Sequence, residues 1–267
     1  MQSLLPRDRS MVRNSQPILG ATVDALSWDQ AIRQIATWSA ARESRYICLC
    51  NVHSVVTASQ DPEFRTAIQE ADLCAPDGAP VAWALRQLGF PSQQRINGPD
   101  LMWKYLHEAS RLGQKVFFYG STDATLARLR IILAVQFPDL IVVGTYSPPF
   151  RPLTPKEDRK EIDKINRSGA STIFVSLGCP KQEKWMFAHR SQIHAVLIGV
   201  GAAFDYHAGT IKRAPLWMQR HGLEWLYRLG AEPRRLFRRY AITNTLFIIG
   251  FSKQIMLRAL GKFRSRV

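Results

Sequence analysis

The sequence is poor in acidic residues and contains no long apolar run. Its 267 residues include 21 Asp and Glu against 36 Lys and Arg, which gives a formal net charge of +15 at pH 7. The longest apolar stretch, Tyr240–Phe251, has about 12 residues and is interrupted by Thr243, Asn244 and Thr245, whereas a membrane-spanning helix needs about 20. We therefore expect a chain that does not span a membrane. Its partners should be polyanionic: a nucleic acid, an anionic membrane surface or a phosphorylated substrate.

The sequence also lacks the cysteine patterns of metal sites and disulfide frameworks. Its four cysteines, Cys48, Cys50, Cys74 and Cys179, form no Cys-x-x-Cys pair and no cluster with His at zinc spacing. Because Cys48 and Cys50 fall on one face of an apolar run, they predict buried free thiols in a reducing compartment. The first 16 residues contain no apolar segment of the kind found in signal peptides. We therefore expect a cytoplasmic location.

The positive charge is concentrated towards the C-terminus. From Lys212 onward the chain has 13 basic residues and two acids, a net charge of +11, whereas the body before it carries only +4. Aromatic and apolar residues are interspersed with arginines there, which predicts amphipathic helices. We expect a core at residues 1–211 and a basic helical appendage at residues 212–267. A solvated basic tail without a binding role is the simpler alternative.

Short apolar runs alternate with helical patterns through the core. The runs are rich in β-branched and aromatic residues and mostly end at glycine, which is typical of buried strands. The predicted strands are Tyr46–Val52, Lys115–Gly120, Leu140–Tyr146, Ser171–Gly178 and His194–Gly201. Helices are predicted at Asp123–Phe137 and Thr154–Gly169, each with an N-cap candidate at its start. This alternation predicts an α/β, Rossmann-like fold with a mostly parallel sheet flanked by helices.

Three of the predicted strands lead into a glycine turn, at Gly120, Gly178 and Gly201. Ligands of parallel sheets bind at the carboxyl ends of the strands, where helix N-termini present backbone N–H groups. The three junctions therefore predict a phosphate or pyrophosphate site. A dinucleotide site is not favoured, because the third junction reads Gly-x-Gly-x-x-Phe without the last glycine, and a Walker A loop is absent.

Polar side chains beside these junctions are further candidates. The segment Gly178–Trp185 (GCPKQEKW) places Lys181 and Gln182 at a helix start, where a lysine can meet phosphate and an amide can bond a sugar or a base. Asn51 and His53 follow the first predicted strand at the same sheet edge. A capped helix with solvated charges explains the first segment equally well, and a lone histidine is more often structural than catalytic.

Two turns carry charged residues. Arg95 precedes an Asn-Gly-Pro turn and can grip a phosphate through two parallel hydrogen bonds. Asp100, just beyond that turn, complements the dipole of a helix start. The segment Ala75–Pro80 (APDGAP) is ordinary turn chemistry, in which Asp77 helps to form the turn.

The chain resembles the WecG/TagA/CpsF family, glycosyltransferase family 26, through segments in one order: NVHSVV, ADLCAPDGAPVAWA, RINGPDLM, FFYGS, FVSLGCPKQEKWM, GVGAAFDYHAGTIKRAP and GLEWLYRL…EPRRLFRRY. The match runs from about Ala25 to Tyr240. It implies a bacterial, metal-independent, inverting enzyme that moves a sugar from a UDP donor to a polyprenyl-diphosphate-linked sugar. The reaction would serve exopolysaccharide or other cell-surface polysaccharide biosynthesis at the cytoplasmic face of the membrane, with the appendage docked on the lipid.

The resemblance also implies roles for individual residues. Asp77, the aspartate of Pro-Asp-Gly, is the implied catalytic base, and Arg95 belongs to the same site. Further implied substrate-binding residues are Asn51, Gln182, Arg228, Arg235 and Arg238. Proline and glycine on either side of Asp77 would hold its carboxylate on a rigid turn at the ligand edge of the sheet.

No Asp-x-Asp pair, which many UDP-sugar enzymes use to bind Mn²⁺ or Mg²⁺, occurs in the sequence. We therefore expect no metal site and no cofactor. Without a metal ion, cationic side chains must stabilise the charge on the leaving diphosphate. The candidates are Arg95, Lys181, Lys212, Arg213 and the appendage arginines. Leu49 stands where some family members have threonine, which leaves the donor sugar open between N-acetylmannosamine, another N-acetylhexosamine, glucose and other hexoses.

Two functions of other classes stay open at this point. One is a basic nucleic-acid-binding module, which would carry basic residues interleaved with stacking aromatics. The other is a catalytically idle membrane scaffold of the same fold. The enzyme hypothesis involves no nucleic acid, and a homo-oligomer is compatible with each of the three.

Overall fold

The computed structural model describes residues 13–264, so the expectation about a signal peptide in the first 16 residues falls largely outside the described part. The strands of this part are β1 (Ser15–Ile18), β2 (Ala21–Asp24), β3 (Arg45–Cys50), β4 (Leu73–Pro76), β5 (Lys115–Gly120), β6 (Ile141–Tyr146), β7 (Thr172–Ser176) and β8 (Val196–Gly199). The helices are α1 (Trp28–Ala40), α2 (Val52–Gln60), α3 (Pro62–Gln69), α4 (Ala79–Gln87), α5 (Gly98–Arg111), α6 (Asp123–Gln136), α7 (Pro155–Arg167), α8 (Lys181–His189), α9 (Ala203–His207), α10 (Leu216–Arg220), α11 (Glu224–Ala231) and α12 (Pro233–Arg264).

The centre of the molecule is a six-stranded sheet in the order β4-β3-β8-β7-β5-β6. Each neighbouring pair in it is parallel, and β1 and β2 form a separate antiparallel hairpin. Helices cover both faces, because the connections between parallel strands must cross from one end of the sheet to the other. The predicted α/β fold with a mostly parallel sheet is therefore confirmed.

Burial on both faces explains why the central strands read as continuous apolar runs. On β3, Tyr46, Cys48 and Cys50 pack into one apolar core, and Ile47 and Leu49 pack into the core on the opposite face. The two cysteines are buried free thiols, as predicted.

The predicted strands and helices agree with the observed ones to within two residues at each end. The first strand shows a difference that matters for the site. β3 ends at Cys50, and Asn51 caps α2 by accepting a hydrogen bond from the Ser54 N–H at 3.2 Å. His53 therefore lies in the first turn of a helix rather than beyond the end of a strand.

The basic C-terminal segment forms α10, α11 and α12, of which α12 packs along α2. Its inner side buries Leu236, Phe247 and Phe251. At its far end the Gln254 amide accepts from the Leu19 N–H at 3.0 Å and donates to the Pro17 carbonyl at 2.6 Å. The boundary between residues 1–211 and 212–267 stays a prediction.

The longest apolar stretch of the sequence, Tyr240–Phe251, lies within α12. Among the helices of residues 13–264, none combines the length and the hydropathy that a membrane span requires.

Candidate active site

A cavity of about 810 Å³ lies at the carboxyl ends of the strands, between the sheet and the C-terminal helices. Loops after β3, β4, β7 and β8 form one side, and α11 and α12 form the other. The predicted site residues that line it are Asn51, His53, Asp77, Arg95, Gly178, Gln182, Gly201, Arg228 and Arg235. Residues far apart in sequence are thus brought together at the ligand edge of a parallel sheet.

Asp77 follows directly after β4, and its backbone is held by neighbouring segments. Its N–H donates to the Cys50 carbonyl at 2.9 Å, and the carbonyl of the preceding Pro76 accepts from the Ile96 N–H at 2.9 Å. Gly78, the N-cap residue of α4, has a φ of +89°, a conformation that favours glycine. The turn predicted from Pro-Asp-Gly is present. The chain leaves the sheet at this turn, and Asp77 and Gly78 line the cavity there.

Burial raises the pKa of Asp77 to about 6, because the charged carboxylate loses hydration in the cavity wall. Arg95, the Asn51 side chain and Arg228 act in the opposite direction, and Glu224 adds to the increase. A carboxyl group with this pKa is ionised at neutral pH and can still accept a proton.

Asn51 and His53 lie beside this carboxylate at the start of α2. The Asn51 Oδ1 atom caps the helix, so its amide nitrogen remains for Asp77. Burial, together with the charge of Arg239, lowers the pKa of His53. His53 is therefore a neutral side chain at pH 7, with its Nδ1 atom 3.5 Å from the Thr57 hydroxyl.

Gln182 lies in the first turn of α8 and is held on both sides. Its Oε1 accepts from the Gly201 N–H at 3.1 Å, and its Nε2 donates to Glu183 Oε1 at 2.9 Å. Gly199 makes room for it, because a Cβ atom there would lie 3.0 Å from Nε2 of Gln182 and 2.7 Å from the Met186 methyl group. The predicted helix start at GCPKQEKW is confirmed by the bounds of α8.

Arg95 belongs to an ion-pair network that ties the core to the appendage. Its guanidinium lies 3.2 Å from Glu224 on α11, and Arg213 contacts the same carboxylate at 3.4 Å. Arg213 also pairs with Asp100 at 2.5 Å and donates to Asn97 Oδ1 at 3.2 Å. Asp100 was interpreted as a helix-start acid; it lies in the first turn of α5 and has this ion pair in addition.

The appendage contributes three arginines to the cavity, Arg228, Arg235 and Arg239. Arg228 lies over the Tyr206 ring at 6.0 Å, and Arg235 pairs with Glu232 at 2.7 Å. The Nε atom of Arg239 is buried, and no residue of the described chain is its hydrogen-bond partner. An anion entering from this side would find an unpaired guanidinium donor.

Five predicted site residues lie outside the cavity lining: Gly120, Lys181, Lys212, Arg213 and Arg238. Lys181, Lys212 and Arg238 are exposed. Gly120 ends β5, where a Cβ atom would lie 2.3 Å from the Ser176 carbonyl oxygen, so its packing against β7 accounts for the glycine. Lining residues that the sequence interpretation missed are Asp205, Glu183 and Arg239.

The cavity is lined by equal numbers of arginines and carboxylates. The arginines are Arg95, Arg228, Arg235 and Arg239, and the carboxylates are Asp77, Glu183, Asp205 and Glu224. The arginines can bind an anionic group of a substrate, and the Asp77 carboxylate can accept the proton of a hydroxyl. Among the described residues, no group of three or more His, Cys, Asp or Glu side chains is arranged to hold a metal ion.

Comparison with known proteins identifies a family and a relative that match most of the chain. The model of the Glycosyl transferase WecG/TagA/CpsF family matches residues 16–260. The N-acetylglucosaminyldiphosphoundecaprenol N-acetyl-beta-D-mannosaminyltransferase of Bacillus spizizenii is 33% identical over 207 residues, which cover 77% of this chain and 79% of that protein. The resemblance noticed in the sequence motifs is confirmed. The chain belongs to the WecG/TagA/CpsF family of glycosyltransferases.

Proposed function

We propose that this glycosyltransferase moves a sugar from a UDP donor to a polyprenyl-diphosphate-linked sugar, with inversion at the anomeric carbon and with Asp77 as the general base. The observation that carries the proposal is the position of Asp77. Its carboxylate, with a pKa of about 6, lines a cavity together with four arginines. The acceptor class comes from the Bacillus relative, whose name specifies N-acetylglucosaminyldiphosphoundecaprenol.

A sugar hydroxyl is a poor nucleophile, so a carboxylate that removes its proton in the transition state accelerates attack by about 10²–10⁴-fold. In an inverting transfer the acceptor oxygen forms the new glycosidic bond as the bond to UDP breaks. The hydroxyl proton goes to Asp77, and the electron pair of the broken bond stays on the diphosphate.

The developing charge on the diphosphate needs cationic partners. Arg95, Arg228 and Arg239 line the cavity with Arg235, and guanidinium groups bind phosphate through charge-assisted hydrogen bonds. Arg95 is paired with Glu224 in the structure, so a bound diphosphate competes with that carboxylate for the arginine.

The proposed location is the cytoplasmic membrane surface. The outer side of α12 exposes large apolar side chains, among them Ile242, Ile249 and Met256. Basic residues surround this helix, and a lysine or arginine near an anionic lipid surface contributes about 1 kcal/mol. The sugar of a lipid-linked acceptor would therefore reach the cavity while its prenyl chain stays in the bilayer.

The identity of the transferred sugar has two leading candidates. The Bacillus relative is named as an N-acetyl-beta-D-mannosaminyltransferase, which favours UDP-N-acetylmannosamine. Leu49 lines the cavity at the position where some members have threonine, so it presents no hydroxyl there and keeps UDP-glucose as the second candidate.

The test is a panel of UDP-sugars incubated with a synthetic polyprenyl-diphosphate N-acetylglucosamine, with products identified by mass spectrometry. One donor should yield a disaccharide product in wild-type protein. Asp77→Asn should lower turnover by about 10²–10⁴-fold and leave UDP binding unchanged.

The control is Asp139→Asn, a surface carboxylate in the loop before β6, which should match the wild type. Near-normal turnover by Asp77→Asn contradicts the base assignment. An absence of product with every donor supports the idle scaffold instead.

A further inference from the structure

Glu183 is a buried carboxylate that the chemistry proposed above does not use. It lies in the first turn of α8, is 1% exposed and lines the same cavity as Asp77. Its Oε1 atom accepts from Gln182 Nε2 at 2.9 Å, but Oε2 is buried without a hydrogen-bond partner among the described residues. An unpaired buried carboxylate oxygen is destabilising, so its presence in a cavity points to a ligand.

Among residues 13–264, no cation compensates the charge of Glu183. The adjacent Lys184 points to the surface, where its ammonium group pairs with Asp61 at 2.9 Å and with Glu63 at 2.6 Å. Lys181 is exposed. Burial raises the pKa of Glu183 to about 7. Hydrogen bonds from Gln182, from its own backbone N–H and from the Cys179 thiol, which is a weak donor, only partly offset this increase.

The orientation of the unpaired oxygen is fixed by its neighbour. The Gly201 N–H donates to Gln182 Oε1, which turns the Gln182 amide so that Nε2 faces Glu183 Oε1. The second carboxylate oxygen is therefore held in one place before a substrate arrives. Preorganisation of this kind is typical of residues that recognise a ligand.

The chemistry of the substrates narrows what Oε2 can bind. A carboxylate repels the diphosphate, and a prenyl chain has no hydrogen-bond donor. Hydroxyl groups and acetamido N–H groups of the sugars are donors, and so are the ribose hydroxyls and the uracil N3–H of UDP; each can satisfy a buried acceptor. The sugar groups are favoured because Glu183 lines the same cavity as Asp77, where the two sugars would react.

On the basis of the function proposed above, we infer that Glu183 recognises a sugar: its Oε2 accepts a hydrogen bond from a hydroxyl or amide N–H of the donor sugar or the acceptor sugar. Glu183 is then a substrate-binding residue beside Asp77, and Gln182 is the residue that positions it.

The test exploits the fixed orientation of Gln182. In Glu183→Gln the new carbonyl oxygen takes the place of Oε1, because it must accept from Gln182 Nε2. The new NH₂ group then occupies the position of Oε2. It is a hydrogen-bond donor and would face the donor group of the substrate, so the proposed hydrogen bond is lost. The fold should be retained, with a melting temperature no lower than that of the wild type.

Three probes are titrated calorimetrically into wild-type protein and Glu183→Gln: UDP, UDP-N-acetylmannosamine and a short-chain prenyl-diphosphate N-acetylglucosamine. UDP should bind both proteins equally. One sugar-bearing probe should bind Glu183→Gln about 10–100-fold more weakly, the loss expected for a hydrogen bond to a charged group. The affected probe identifies which sugar is recognised. Glu183→Ala, which removes the acceptor without adding a donor, should lose affinity for the same probe.

Glu161→Gln is the matched control, since Glu161 is a buried carboxylate on α7 that accepts from the Tyr119 hydroxyl at 2.5 Å and lies outside the cavity. It should bind all three probes like the wild type. Unchanged affinity of Glu183→Gln for both sugar-bearing probes overturns the inference, and so does an equal loss for UDP, which would assign Glu183 to the nucleotide. Wild-type protein that binds neither sugar-bearing probe contradicts the proposed function as well.

Discussion

At the scale of single residues, the cavity places two carboxyl groups in environments that make ionisation unfavourable. Burial raises the pKa of both Asp77 and Glu183. Such groups lower the stability of the native protein at pH values above their folded pKa, where they must be charged in the buried state. Both are therefore better explained by their use in a site than by the stability of the fold.

The pH dependence of transfer tests the role of Asp77. As a general base it must be ionised, so kcat/KM should rise with pH up to about 6 and then level off. Because the pKa of Glu183 is about 7, the profile should also be measured in Glu183→Gln. The rise of kcat/KM near pH 6 should persist in that variant. A rate that is flat from pH 5 to pH 8 contradicts the assignment.

The sequence could place Asp77, Asn51 and Gln182 at one cavity because family motifs surround them, and their roles stay predictions. It gave no reason to expect Glu183 to be buried in the cavity wall, since a charged residue in the first turn of a helix is ordinarily solvated. Its burial depends on α8 packing against β8, where Gly199 leaves room for the Gln182 amide. That contact joins two segments that a linear pattern treats separately.

At the scale of secondary structure, the strands β1, β2 and β4 and the helix α1 were not predicted from the sequence. β4 has four residues and ends at a proline, and the hairpin strands β1 and β2 also have four each. Runs of this length carry too little periodicity to be separated from turns. The long apolar strands and the capped helices α6 and α7 were predicted because propensity, burial pattern and capping agree there.

The rotation of α12 about its axis decides which arginine reaches the cavity. Arg238 and Arg239 are neighbours, so they point about 100° apart on the helix. Arg239 lines the cavity with a buried Nε, whereas Arg238 is exposed. The family resemblance implied Arg238, and no sequence pattern fixed the rotation of the helix within one residue.

This difference gives a paired prediction. Arg239→Ala should lower kcat/KM for transfer by about tenfold or more, because a charge-assisted hydrogen bond contributes about 1.5–3 kcal/mol. Arg238→Ala should stay within about twofold of the wild type. Steady-state kinetics with the lipid-linked acceptor measure both, and a larger effect at Arg238 refutes the proposed role of Arg239.

At the scale of the whole molecule, charge and apolar surface are gathered on the C-terminal helices. The composition predicted that concentration, because +11 of the net charge of +15 follows residue 211. It did not predict which apolar side chains would remain exposed. Phe247 is buried against Phe251, whereas Ile242 and Ile249 face outward.

Membrane docking can be tested on that outward side. Ile242→Glu combined with Ile249→Glu should weaken binding to phosphatidylglycerol vesicles by about tenfold or more, since two apolar side chains lose their burial in lipid and two negative charges are added. Sedimentation with vesicles measures the effect. Turnover of a short-chain, water-soluble acceptor should be retained.

The control makes the same kind of substitution on an exposed apolar surface away from α12. Ile131 and Val135 on α6 are also exposed apolar residues, 68% and 70% accessible, and their double substitution by Glu should leave vesicle binding unaffected. Equal binding by both double variants would exclude the outer side of α12 as the docking surface.

One helix, α12, forms a wall of the cavity with Arg239 and Asn244 and carries Ile242 and Ile249 on its outer side. In the proposed orientation the diameter of that helix, about 10–12 Å with its side chains, is the least distance between the lipid and the cavity. The helix would thus set the height above the lipid at which an acceptor sugar reaches the cavity. A sugar attached directly to the diphosphate, at headgroup level, would lie at that height. In the proposed reaction, a transfer would move the new terminal sugar beyond that height, so the enzyme would add one residue and stop, and elongation would pass to another transferase.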